Sequence, residues 1–313
     1  MDISRTSGRR PMSLKSREAI TFYIFMAPII IGLLVFIYIP TLASLIISFT
    51  SWSMLESPEF IGLANYVEIF SKDIHASASA RATVIYSFGS VAWALIVSLS
   101  LALFLNRDKK GVGVFRTLYY LPSMIVAGAP TLLIFSWIFS ERGFVNTLLW
   151  QLFRVDGPNY FRDMNWALPT IMFMSVWGLG GSFVIFMAGL KSVPDELYES
   201  ASLDGANSLQ RLWNITLPSI SPVILFNIIM GLIGSFQAFT QSYALTKGGP
   251  ADSTLLWVLH IYKQAFEYFR MGYASALAWL LFMVIMILTL IILNTSAKVV
   301  FYAGDQSGST ERF

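Results

Sequence analysis

KSVPDELYESASLDGANSLQRLWNITLPSISP runs from Lys191 to Pro222 and holds two cations against four acids, Asp195, Glu196, Glu199 and Asp204. Long charge-free stretches flank it, 27 residues between Asp163 and Lys191 and 35 between Arg211 and Lys247. Ser192 and Asp195 have the spacing of a capping box, Pro194 suits a first helical turn, and the following acids complement the positive end of a helix dipole. One short helix is predicted to about Leu203. Asp204-Gly205 is then a turn pair, and Asn207 or Ser208 can cap a second helix ending near Pro218. The segment reads as a folded knob of two short helices meeting at an angle.

On the first helix Pro194, Leu197, Tyr198 and Ala201 recur at helical spacing, and on the second Leu209, Leu212, Trp213 and Thr216 do the same. Such stripes need a partner surface, either the chain's own helices or another protein. Spacing alone leaves both open.

Outward from the knob, the whole chain follows the same charge logic. Its 313 residues are 56% hydrophobic and 12% charged, against roughly 25% charged in soluble domains, which excludes an ordinary soluble fold. Six charge-free stretches of 24 to 37 residues each exceed the roughly 20 needed to cross a ~30 Å hydrocarbon core. The predicted spans are about 21–49, 83–105, 118–139, 166–190, 222–245 and 273–294. The first is too long for a signal-peptide core and is read as a retained anchor. Pro28, Pro40, Pro122 and Pro130 fall within spans and predict kinks.

Lys and Arg set orientation. Thirteen lie on the two termini and the loops that share their side, including Arg5, Arg9, Arg10, Lys15, Arg17, Arg107, Lys109, Lys110 and Arg116, against eight on the other side. The expected fold is an all-α integral membrane protein with six transmembrane helices and both termini cytoplasmic. It comprises a cytoplasmic segment 1–20, a membrane domain 21–294 that includes the knob at 191–221, and a cytoplasmic tail 295–313. The knob is acidic where topology alone would make it basic, so it serves another purpose. The net charge of +3 reflects the juxtamembrane bias and points to membrane lipid, with no nucleic-acid partner expected.

Glu199-Ser200-Ala201, Asp204-Gly205-Ala206 and Ile215-x-Leu217-Pro218 resemble the EAA motif of permease subunits of binding-protein-dependent ABC importers. Further stretches resemble the carbohydrate-uptake branch of that family, which includes maltose and glycerol-phosphate permeases. They are Phe115-Arg116 through Leu121-Pro122, Gly143 to Asn146, Ala188-Gly189-Leu190, Thr246 to Pro250 with Ser253-Thr254, and Gly272 to Ala276. Ser200 departs from the usual Ala, and Leu212-Trp213 stands where an aromatic is usual. The resemblance implies an ATPase-coupling element made of Glu199, Ala201, Asp204, Gly205, Leu212 and Trp213. Glu199 would face polar groups of the ATPase, Gly205 would allow the turn, and the Leu212/Trp213 side would give apolar contact. It also implies a second permease subunit, two ATP-binding subunits, an extracytoplasmic solute-binding protein and residence in a prokaryotic cytoplasmic membrane.

No Gly-Lys dipeptide exists, so no phosphate-cradling G-x-x-x-x-G-K-[ST] loop is present. No enzyme activity or cofactor is expected on this chain; ATP and Mg would belong to the partner ATPase. No metal site is expected, because His75 and His260 lie in separate outer segments and read as lone surface residues. An ion-coupled secondary carrier is the rival class, weakened by the lack of ionisable groups inside the spans. A purely structural membrane subunit and an intramembrane enzyme are two more, although no nucleophile and base pair within the spans.

The fifth span reads NIIMGLIGSFQAFTQSYALT from Asn227. Gln237 and Gln241 are predicted one turn apart on one face, with Phe236, Phe239 and Tyr243 on a neighbouring stripe and Ser235 close by. Neutral amides beside aromatic faces suit a sugar, whose hydroxyls meet the amides while a ring covers its C–H face. The same amides also suit hydrogen bonds between helices, as Asn227 does. On the fourth span Trp177 and Ser182 are weaker path candidates beside Gly178, Gly180 and Gly181. By resemblance, Gly248, Gly249 and Pro250 border the docking surface for a solute-binding protein; their composition alone says only tight turn. The expected function is the permease subunit of an ATP-driven ABC sugar importer, with another small solute as the alternative cargo.

Overall fold

The computed structural model describes residues 14–53, 56–106, 111–124 and 129–296. Arg5, Arg9, Arg10, Arg107, Lys109, Lys110 and the tail from 297 lie outside them. The described residues are mostly helical and form no strand beyond two isolated bridges, Thr50 with Phe60 and Ser53 with Arg270.

Four helices are long and apolar enough to cross a bilayer, Ile20–Ile47, Ile74–Leu105, Ser221–Leu245 and Met271–Ser296. The pair Ala167–Gly178 and Gly180–Lys191, bent by 54°, is a fifth candidate. The predicted third span corresponds to two shorter helices, Val112–Met124 and Ala129–Ile138, on either side of residues that are not described.

Three boundaries differ from the sequence reading. The second span starts at Ile74, because Asp73 caps it by accepting a hydrogen bond from the Ala76 amide at 3.0 Å, and so it takes in Arg81. The fourth is broken by the tight turn Ser175–Gly178. The fifth is continuous only to Phe236, and a separate helix resumes at Thr240–Leu245. The first span widens to a π-helical turn, Leu34–Tyr38, just before Pro40, which has no N–H to donate back to Phe36.

The core nearest the knob joins Ala102 and Leu105 of the second span to Phe183, Phe186, Met187 and Leu190 of the fourth, with Val193 and Ile220. Gly189 lets the fourth and fifth spans close up here: an added Cβ would come within 2.8 Å of Val223. A second core at the opposite end unites Ile69, Ala76, Tyr273, Ala276 and Leu277. Between them Val91, Leu232 and Phe236 tie the second and fifth spans together.

Candidate functional site: a two-helix knob, a broken span and a clasp

The knob consists of Asp195–Leu203 and Ser208–Arg211, the latter continuing through a π-helical turn Leu212–Thr216 that precedes Pro218. Its first helix ends in a Schellman closure: the Ala206 amide donates to the Ala201 carbonyl at 2.9 Å and the Gly205 amide to that of Ser202 at 3.2 Å. Gly205 has φ +75° and open space around it, so backbone conformation and not crowding requires glycine. Asn207 and Gln210 form a reciprocal capping box, at 2.9 and 2.8 Å. The box predicted at Ser192 does not form. Its hydroxyl donates to the Gly189 carbonyl, and Pro194 takes the cap position without a side-chain bond.

Each stripe of the knob divides between two surfaces. Tyr198, Ile215 and Leu217 pack on the adjacent core, and the Tyr198 hydroxyl lies 3.0 Å from Thr216 Oγ1. Arg211 donates to Ser202 Oγ at 3.1 Å, pinning the two helices together. Leu197, Leu203, Leu209 and Trp213 stay exposed, Leu203 at 90% and Trp213 at 64%. Glu199 and Asp204 are exposed beside them, while Ala201 and Leu212 are half-buried. None of the ion pairs among the described residues involves the knob's acids.

The break in the fifth span rearranges the predicted path residues. Gln237 and Ala238 both donate their amides to the Ser235 carbonyl, and Gln237 is exposed at the break. Gln241 therefore sits on the next helix and not one turn further along the same one. Neither amide side chain has a hydrogen-bond partner among the described residues. Asn227 bonds the Val223 carbonyl of its own helix at 2.9 Å, so it does not join helices as expected. Phe236 is turned into the core, 4% exposed and edge-on to Phe88, and Ser235 donates to the Leu232 carbonyl. Phe239 and Tyr243 stack at 5.1 Å. On the fourth span Trp177 is exposed and edge-on to Phe135, and Ser182 is half-buried.

Gly248 is buried at φ +92°, and its carbonyl accepts from the Thr254 amide at 3.3 Å. The fully buried Thr254 hydroxyl donates to the Gly249 carbonyl at 2.7 Å. Gly249 and Pro250 are half-buried. This element is a tight turn folded against Leu255.

Sequence reading missed a polar clasp at the end opposite the knob. Asp73 Oδ2 accepts from the Tyr273 hydroxyl at 2.5 Å and from His260 Nε2 at 3.0 Å. Burial acts to raise the Asp73 pKa, but hydrogen bonds from Tyr273, Ala76 and His260 outweigh it and hold the carboxyl below the ordinary carboxylate range. Burial depresses the His260 pKa despite the opposing Asp73. The histidines are thus not lone surface residues. His260 is 2% exposed, and His75, though exposed, lies 2.6 Å from Asp252. Arg270 grips both oxygens of Glu68 and covers the Tyr273 ring at 4.3 Å. Beside Tyr273, Gly272 admits a close approach of the chain at Thr50: a Cβ there would fall 1.9 Å from the Thr50 carbonyl oxygen.

A helical membrane core that projects a two-helix knob from one end and breaks two of its spans is the architecture of a transport permease subunit. The chain belongs to the family of binding-protein-dependent transport system inner membrane components, whose pattern matches residues 94–307. It is an ABC transporter permease subunit, a multi-pass inner-membrane protein. It is 40% identical to the probable ABC transporter permease protein YesP of Bacillus subtilis (strain 168), across 93% of this chain and 94% of that one. It is 31% identical to the arabinooligosaccharides transport system permease protein AraP of the same organism, across 94% of each. In fold it is similar to a chain of a bacterial alginate ABC transporter solved with an alginate pentasaccharide-bound periplasmic protein. That TM-score is 0.80 at 22% identity, covering 91% of this chain and 96% of the other.

Proposed function

We propose that this chain is one of two permease subunits of an ATP-driven sugar importer, with six spans and both termini in the cytoplasm. The knob faces the cytoplasm and seats in one of two ATPase subunits that bind ATP and Mg. The observation that carries this reading is the divided knob surface: one side is anchored on the chain's own core, and the other presents Leu203, Leu209 and Trp213 beside Glu199 with nothing among the described residues to cover them. A rigid element packed on the fourth and fifth spans transmits displacement to both, switching access to the cavity between the permeases.

Neutral saccharide is the proposed cargo. Gln237 and Gln241 offer hydrogen bonds without charge, Phe239 and Tyr243 offer ring faces, and several relatives are named for sugar transport. Trp177 and Ser182 contribute from the fourth span. A solute-binding protein delivers cargo at the opposite end, where Gly249 and Pro250 border its seat and Gly248 shapes the turn.

Co-purification of the assembled complex, followed by a screen of sugars for stimulation of its ATPase activity, tests the reading. Recovery of an ATPase and stimulation by a saccharide are expected. Gly205→Asp or Glu199→Lys should abolish coupled uptake with the permease still in the membrane; full uptake in both variants would refute the docking role.

A further inference from the structure

The aromatic stripe predicted on the fifth span does not stop at Tyr243. Phe239 and Tyr243 both lie against Tyr262, at 5.2 and 5.3 Å between ring centroids, and Tyr262 in turn meets Phe266 at 5.2 Å. Tyr262 and Phe266 come from the connection between the fifth and sixth spans, at the end of Trp257–Tyr262 and on the π-helical turn Lys263–Glu267. The rings remain open on one side, with Tyr243 39% and Phe266 53% exposed.

The backbone beside Phe239 says what kind of surface this is. Because the Gln237 and Ala238 amides turn to Ser235, the carbonyls of Ile233 and Gly234 lose the donors a continuous helix would supply. Lipid offers no replacement, so irregular backbone at membrane depth persists only against protein or a polar cavity. An added Cβ on Gly234 would meet nothing within 4 Å, and the Gln237 side-chain amide is exposed without a partner among the described residues. The break therefore opens toward space that must hydrogen-bond, which excludes an acyl chain as the occupant. Lys263, next to Tyr262 in the chain, is engaged elsewhere: its Nζ donates to the Lys247 carbonyl at 2.8 Å.

We propose that Tyr262 and Phe266 extend the solute path beyond the fifth span as the outer rungs of an aromatic ladder. It receives the C–H face of a neutral sugar ring while Gln237 and Gln241 take its hydroxyls. The two residues are then specificity-determining, which rests on the sugar-permease reading above. A continuous row of faces lets a ring step from one to the next.

The test uses the whole complex, with its partner permease, ATPases and binding protein, in proteoliposomes. Labelled glucose, maltose, maltotriose, raffinose and arabinotriose are the probes, with glycine betaine as the non-sugar control. Tyr262→Leu and Phe266→Leu should each lower kcat/KM for the transported saccharide by roughly 3- to 10-fold. Subunit recovery should stay at the wild-type level, and Tyr262→Phe should stay within about twofold of wild-type uptake because the ring is kept. Wild-type uptake kinetics in both Leu variants would overturn the proposal. So would a Tyr262→Phe defect as large as that of Tyr262→Leu, or loss of the second permease from the Leu variants, which would assign these rings to subunit packing. A wild-type complex that carries betaine and none of the saccharides would instead remove the sugar reading itself, before any variant is compared.

Discussion

His260 Nε2 lies 3.0 Å from Oδ2 of Asp73, a residue 187 positions earlier, and the two side chains are 3% and 10% exposed. With Tyr273 on the same oxygen, this contact ties the start of the second span to the short helix Trp257–Tyr262 and to the sixth span. It fixes the platform from which Tyr262 projects.

The clasp makes stability fall in acid. His260 has a lower pKa folded than unfolded, so as pH drops through about 6.5 the unfolded chain takes up the proton first and stability declines toward the folded pKa. Asp73 is also depressed; its contribution is present above the ordinary carboxylate range and is lost as pH falls through its folded value. Melting curves in detergent should be level from about pH 8 to 7 and then decline below about 6.5. His260→Gln should remove that first decline and leave the one at lower pH; an identical pH profile in the variant would rule the clasp out as its origin.

Trp213 is exposed and belongs to no core among the described residues. Trp213→Ala should leave the permease's own melting temperature nearly unchanged. It should weaken binding of the ATPase subunit by about 2 kcal/mol, roughly 30-fold, as truncation of a central interface aromatic does. Titration of purified ATPase onto the permease in nanodiscs measures it.

Gly272 lets two chain segments touch, whereas Gly113 sits on an open helix face. Gly272→Ala forces its Cβ onto the Thr50 backbone and should destabilise by about 1–3 kcal/mol or reduce yield. Gly113→Ala should be stabilising by up to about 1 kcal/mol through helix propensity. Opposite shifts in thermal unfolding of the two variants are the expected result.

Neighbouring residues 236 and 237 should separate fold from transport. Phe236→Ala leaves a cavity between the second and fifth spans and should lower stability by about 3–5 kcal/mol. Gln237→Ala should keep assembly and stability while reducing uptake about 2- to 10-fold, the range of one neutral hydrogen bond. Uptake at the wild-type rate in Gln237→Ala would exclude that amide from the path.

Much of this was legible in the residue order, and the failures have local causes. Charge-free stretches locate the membrane helices because an ionised side chain is expensive in hydrocarbon. Counting charges nonetheless started the second span at Thr83, beyond Arg81, whereas the Asp73 cap starts its helix nine residues earlier, at Ile74. The knob's turn and second cap followed from Gly205 and Asn207. Ser192 did not cap because the Gly189 carbonyl of the preceding helix lay closer to hand. The break at Gln237 carries no Pro or Gly within it. It accompanies burial of Ala238 among Ala82, Tyr86, Leu168, Ile171 and Leu256, residues far away in the chain.

By itself the sequence determined the membrane class, most of the spans and the two-helix knob, because partitioning, capping and positive φ act over a few neighbouring residues. Only the tertiary structure decided which half of each knob stripe is free, where the fifth span breaks, and that Asp73, His260 and Tyr273 meet. Those outcomes depend on side chains up to 200 positions apart competing for the same space and the same hydrogen bonds, and no local rule ranks them.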